Sequence, residues 1–345
     1  MYVYISILIF LFLMAVINHK SISASAKMNL SLTIIFLVMA LKAPILGDYS
    51  RYADNFIRTA FHTIKEMAAY KGEIGFHALT KAITYITDNP SVYLAITSAI
   101  ICILLGLYIK QFATSKIYAV YFYYTIGLFA FSLAGLRQVL AMSICLFAYE
   151  AIRRKRLILF IIIIGVAFQF HKSAIFFLPA YPIARFRWKW NDILIALASI
   201  GAFCIFYKQL YSYIAVWLGY ENYTMSSSGN GEIFAVILVA IGVLGFIYKD
   251  RLLRLDRSNL MFLNLHFALI VLWMIRFFIG TVDRPSFYYL YASIILLDKI
   301  FSLEFENSSM DRTNKFLLIS ALMLFGVLFV YRLMRDINLL PYILI

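Results

Sequence analysis

The chain has 345 residues, 63% of them hydrophobic and only 14% charged, with a mean hydropathy of +0.86. Too few polar groups are present to cover the surface of a water-soluble fold, so composition excludes one and implies a polytopic membrane protein. The net charge of +14 lies in short clusters between apolar runs, which the positive-inside rule explains without a nucleic-acid partner.

Tyr2 to Ile17 is apolar and is followed by His19, Lys20 and Lys27. The charge follows the apolar run and no small-residue cleavage site is evident, so this is read as a retained first helix with its amino terminus outside. A second helix, about Asn29 to Gly47, carries Pro44 near its outer end. Residues 48 to 90 form the longest non-spanning segment. There Arg51, Arg58, Lys65, Lys71 and Lys81 are balanced by Asp48, Asp54, Glu66, Glu73 and Asp88, which fits the outer side. Phe56, Ile57, Ala60, Phe61, Ile64 and Met67 recur at helical spacing, as do Phe76, Leu79, Ile83 and Ile86. Two amphipathic helices along the interface are predicted, either bordering a site or serving as a packed cap.

Further apolar runs follow at 91 to 109, 117 to 134, 136 to 152, 157 to 170, 174 to 184, 191 to 207, 232 to 248, 260 to 279, 285 to 300 and 316 to 331. Some are shorter than the roughly 20 residues of a straight span, so tilted or broken helices are expected. Placing loops 18 to 28, 110 to 116, 153 to 156, 185 to 190, 249 to 259 and 299 to 315 in the cytoplasm gives them 18 of the 31 basic residues. The expectation is a single all-α integral membrane domain, a helical bundle of about twelve spans with both termini outside. Cys102, Cys145 and Cys204 lie in apolar runs without paired or metal-ligand spacing and read as core.

Three stretches interrupt this pattern with isolated polar groups. Phe131 to Arg156, FSLAGLRQVLAMSICLFAYEAIRRKR, begins near a lone Arg137 beside Gln138 and closes on the basic block Arg153 to Arg156. The block marks the cytoplasmic end, which puts Arg137 at the outer face, where it needs a partner: an anionic ligand, a neighbouring helix or a lipid headgroup. Phe168 to Tyr181, FQFHKSAIFFLPAY, inserts His171, Lys172 and Ser173 into an apolar run, so these face a cavity or a turn. Trp273 to Tyr289, WMIRFFIGTVDRPSFYY, brackets a turn with Arg276, Asp283 and Arg284. Arg137, His171, Lys172, Arg276, Asp283, Arg284 and Asp48 all fall near the outer face of this topology.

GDYSRY at 47 to 52, GEIGF at 72 to 76, GLRQVLA at 135 to 141 and FHKSA at 170 to 174, in that order in a polytopic chain, resemble the EpsG-like exopolysaccharide polymerases, relatives of the Wzy polymerases of O-antigen and capsule. The carboxy-terminal half resembles the family mainly in hydropathy and in Arg276 and Arg284. The resemblance implies a membrane glycosyltransferase that joins oligosaccharide repeat units carried on undecaprenyl diphosphate, at the outer face of the bacterial cytoplasmic membrane. It also implies a bundle loosely like the GT-C membrane glycosyltransferases, and partners such as a flippase and a chain-length regulator.

Such a transfer leaves negative charge on a departing diphosphate, which guanidinium groups bind in a bidentate way. Arg137 is the expected first diphosphate ligand, with Arg276 or Arg284 the second. His171 is the preferred general base and Asp48 the alternative. Lys172 adds to phosphate binding, Gln138 orients Arg137 or meets a sugar, and Tyr49 and Tyr52 offer aromatic surfaces. A structural hydrogen bond is the competing role for His171. No acidic metal motif, nucleotide-binding loop or cofactor signature is present, so neither metal nor cofactor is expected. Gly219 to Gly231, GYENYTMSSSGNG, reads as a flexible loop or an access lid. A flippase of the same lipid-linked saccharide and a membrane acyltransferase are the alternative functions.

Overall fold

A computed structural model describes residues 1–17, 22–43, 47–71, 73–187, 231–305, 312–335 and 342–343. The predicted span at 191 to 207, Cys204 and nearly all of the loop at 219 to 231 lie outside these residues. The described residues are helical, without a strand, as expected for a chain whose backbone groups must be satisfied within each segment in lipid.

The chain divides into two compact units, residues 1–175 with 293–345, and residues 176–292. In the first, α1 (Tyr2–Val16) and α2 (Ala24–Ala40) lead to three short helices, α3 (Gly47–Thr59), α4 (Ile64–Lys71) and α5 (Ile74–Thr84). Then come α6 (Pro90–Phe112), α7 (Ile117–Thr125), α8 (Leu128–Ser132), α9 (Leu136–Arg153) and α10 (Leu157–Phe168), followed by a 3₁₀ segment, Lys172–Phe177. The second unit holds α11 (Ala180–Ala184), α12 (Glu232–Ile247), α13 (Lys249–Leu255) and α14 (Asn259–Ile275). Of α15 (Asp283–Phe305), the part from Ser293 belongs to the first unit, as does α16 (Arg312–Leu333).

Among the described residues, α6, α15 and residues 313–333 of α16 are long and apolar enough to cross a membrane. The pair α12 and α13 makes a fourth candidate if its 63° bend is read as one broken span. α1, α2, α10 and α14 are apolar but shorter. α9 is 18 residues long and carries Arg137, Glu150 and Arg153.

The predicted run at 117 to 134 is broken. Gly127 adopts φ 115°, a left-handed conformation that ends α7 and starts α8. The broken ladder finds a partner in Arg332 of α16, whose Nη1 donates to Ile126 O at 2.7 Å. Predicted run 174 to 184 likewise resolves into the 3₁₀ segment and α11. A second buried polar anchor, Asp298 on α15, accepts from the Thr114 and Ser115 amides at 2.6 and 3.2 Å and so fixes the entry to α7. Around α7 the core is aromatic: Phe122 lies edge-on to Phe301 and Phe325, and Tyr124 stacks on Phe129.

The segment at 48 to 90 departs from the two predicted amphipathic helices. The first of them is cut at residues 60–63, where Phe61 is 83% exposed, and α4 restarts with a capping box. Thr63 N donates to Glu66 Oε2 at 2.8 Å, and Glu66 N donates to Thr63 Oγ1 at 3.3 Å. Phe56 is buried on the other side of that break, stacked on Tyr93 of α6 with centroids 4.5 Å apart. At the far end of α5, Tyr85 and Ile86 are 81% and 75% exposed.

The break at Gly127 makes a direct prediction. A Cβ there would lie 1.7 Å from Arg332 Nη1, besides forcing an L-residue to a positive φ. Gly127→Ala is expected to destabilise the protein by about 1–3 kcal/mol or more, read as a lowered thermal midpoint in detergent. An unchanged midpoint would contradict this account of the break.

Candidate functional site

The site is built where helix ends meet. Glu73 stands at the N-cap of α5, its carbonyl accepting from His77 N at 3.2 Å. The first amides of a helix and the last carbonyls of a helix lack partners within their own helices. Here the two shortages meet each other: Phe76 N, in the first turn of α5, donates to Gln169 O, just past α10, at 3.2 Å. Gly75 permits that approach, because a Cβ at this position would lie 2.9 Å from Gln169 Cβ and 3.1 Å from Phe170 Cε2. The GEIGF stretch is therefore seated directly on the chain that leads into FHKSA.

This seating brings the Glu73 carboxylate to two cationic or titratable partners. Its Oε1 lies 2.7 Å from His171 Nδ1, and its Oε2 pairs with Arg137 Nη1. Glu73 is 5% exposed and His171 7%, whereas the Arg137 side chain keeps 26% of its surface open. Burial by itself raises the Glu73 pKa, but the His171 hydrogen bond and charge together with the Arg137 charge outweigh it, and the carboxyl is held below its ordinary value. An ionised carboxylate only accepts, so His171 Nδ1 carries a proton and donates it; when the imidazole is neutral, the lone pair is on Nε2.

Arg137 is the second residue of α9 and draws in a fourth segment. Tyr52 of α3 hydrogen-bonds to it, and burial raises the Tyr52 hydroxyl pKa against the opposing Arg137 charge. The guanidinium also stands 6.0 Å from the Phe76 ring centroid. At the other end of α9, about 24 Å away by helical rise, Arg153 and Arg154 pair with Glu150. The lone arginine and the basic block thus occupy opposite ends of one helix.

Other sequence-predicted site residues fall around this centre or apart from it. Gln138, next to Arg137, is buried, and Lys172, next to His171, is half-buried. Tyr49 is 2% exposed and its hydroxyl donates to Met39 O at 3.4 Å, so its ring packs inward. Asp48 pairs with Arg51 at 3.4 Å on the exposed first turn of α3. Arg276 and Arg284 belong to the second unit. Arg276 is 7% exposed there, 4.7 Å from the Trp273 ring centroid, with Trp273 Nε1 donating to Gly231 O at 3.1 Å.

Sequence reasoning counted Glu73 only among the charges balancing the outer segment. The available signal was the GEIGF motif itself, where an acid between two glycines starts a helix. No group of His, Cys, Asp and Glu suited to a metal ion occurs among the described residues.

The Glu73 shift carries a pH dependence. Because its folded pKa lies below the unperturbed 4.5, its stabilising contribution is complete above that value and is lost as pH falls through the folded value. Thermal midpoints in detergent from pH 7 to pH 3 should show wild type losing its advantage over Glu73→Gln on the acid side. A constant difference across that range would contradict the ionised pairing.

The EpsG family model matches residues 26–344, nearly the whole chain, and no curated protein or solved structure matches it. All four motif segments that meet at this centre lie inside the matched range. The chain belongs to the EpsG family, a family whose members take part in exopolysaccharide biosynthesis, and is a multi-pass membrane protein.

Proposed function

We propose that this protein is a membrane glycosyltransferase that polymerises oligosaccharide repeat units carried on undecaprenyl diphosphate, at the extracytoplasmic face of the bacterial cytoplasmic membrane. One observation carries the reading: Tyr52, Glu73, Arg137 and His171, one from each motif segment, converge on a single cluster although they span 120 positions of sequence. Membership of the EpsG family supports the reaction class. The basic block at one end of α9, against a lone arginine at the other, supports the sidedness, within a topology of about twelve crossings.

In the proposed step, the acceptor sugar hydroxyl attacks the anomeric carbon of the donor chain. The new C–O bond forms as the bond to diphosphate breaks, and the electron pair leaves on the diphosphate. The hydroxyl proton passes to His171 Nε2, whose lone pair is set by the Nδ1–H bond to Glu73. Glu73 is a positioning residue, fixing the tautomer and ring orientation of His171 while holding Arg137 in place. Arg137 binds the diphosphate through donors that its contacts with Glu73 and Tyr52 do not use, since guanidinium offers five. Lys172 and Gln138, next to His171 and Arg137 in the chain, assist. Asp48 is the weaker base candidate because its charge faces Arg51 on an exposed turn.

Purified protein in lipid, given a defined undecaprenyl-diphosphate oligosaccharide, should extend it into a ladder and release diphosphate lipid. Arg137→Ala and His171→Ala should each lower the rate on the order of 10²–10³-fold while remaining folded. Extension at the wild-type rate by both variants would overturn the site. Lipid translocation without extension would replace the polymerase with a flippase.

A further inference from the structure

The second unit contains a cavity of about 960 Å³ bounded by α12, α13 and α14. Its rim carries Arg187, Lys249, Arg254 and Arg257 against a single acid, Asp250. Its walls are apolar: Phe246 at the end of α12, and Leu260, Phe267, Ile270 and Val271 along α14. None of these residues belongs to the cluster around Glu73.

The local architecture explains why cations and apolar surface share one cavity. α12 is apolar over its 16 residues, and the chain then bends by 63° into the short basic helix α13, KDRLLRL. Leu252 is buried while Arg251 and Arg254 point to the exposed side, as in a helix lying along a headgroup layer. Arg187 is brought to the same rim by buried Asn264 of α14, whose Nδ2 donates to Ile183 O at 3.0 Å and Phe186 O at 2.8 Å, capping the end of α11. Flanking cations rest on aromatic rings, Lys249 on Phe246 at 6.0 Å and Arg251 on Tyr248 at 5.2 Å, an arrangement suited to a water–lipid boundary.

We infer that this cavity binds one anionic glycerophospholipid, with its phosphate on Arg187, Lys249, Arg254 and Arg257 and an acyl chain along Phe267, Ile270 and Val271. Charge complementarity selects the occupant: four cations against one acid at the mouth of an apolar cleft fit a headgroup phosphate with a hydrocarbon tail. A zwitterionic lipid brings no net charge, and a free phosphate leaves the apolar wall unused. The loops that contribute the cations are those the charge rule assigns to the cytoplasm, so the bound lipid belongs to the cytoplasmic leaflet. The inference is independent of the polymerase reading.

The test titrates purified full-length protein in detergent with phosphatidylglycerol, phosphatidylcholine of the same chains, or inorganic phosphate, and measures bound lipid by native mass spectrometry. Phosphatidylglycerol should be retained at least roughly tenfold better than phosphatidylcholine, and phosphate should not displace it. Arg254→Gln with Arg257→Gln should weaken retention on the order of 30-fold, whereas Arg58→Gln with Lys65→Gln, an equal loss of charge elsewhere, should leave it unchanged. Arg254→Lys with Arg257→Lys keeps the charges and should retain the lipid. Equal binding of the two lipids, displacement by phosphate, or the same loss in both glutamine pairs would overturn the site. The lipid comparison on wild type stands even if a variant does not fold.

Discussion

The centre of this protein depends on one buried carboxylate. Glu73 is removed from water, and an unpaired charge there would cost several kcal/mol. It is tolerated because Arg137, 64 positions later, and His171, 98 positions later, each take one of its oxygens. Removing either partner would leave part of that cost uncompensated, typically about 3–5 kcal/mol for a broken buried pair. The same pairing settles the electrostatics of the site: the carboxylate stays ionised, so it requires a proton on His171 Nδ1 and restrains the Arg137 guanidinium.

The surrounding helices are arranged to make that pairing possible. Continuous spans satisfy their own backbone, but helix ends at membrane depth require partners, and this chain uses ends as joints. The orphan amide of Phe76 and the carbonyl of Gln169 close on each other, with Gly75 allowing the contact. Elsewhere Arg332 satisfies the ladder interrupted at Gly127, and Asp298 satisfies the amides before α7. These polar side chains serve the breaks, and the cluster around Glu73 is the place at which four segments coincide.

The parts legible in the sequence were those whose signal is local. Arg137 and His171 stood out because a charged or titratable group inside an apolar run has few inexpensive places to go. The basic block at 153 to 156 marked one end of α9. Glu73 was hidden by its setting, since in a segment with five acids and five bases no local feature says which acid will be buried. Tyr49 and Tyr52 are alike by sequence, yet three positions of helix send one against Met39 and the other to Arg137. The interruption between α3 and α4 was readable from Thr63 and Glu66 as a capping box, but apolar periodicity carried across it. The break at Gly127 was not, because a lone glycine between aromatic runs is also tolerated in a continuous span.

The most direct test of the central claim is a double-mutant cycle on Glu73 and His171, measured as the rate of chain extension from a lipid-linked oligosaccharide. If Glu73 acts through the orientation and protonation of His171, Glu73→Gln will lower the rate in wild type but hardly at all in a His171→Ala background. Losses that simply multiply would mean that the two residues act separately, and the carboxylate would then be no more than a structural ion pair.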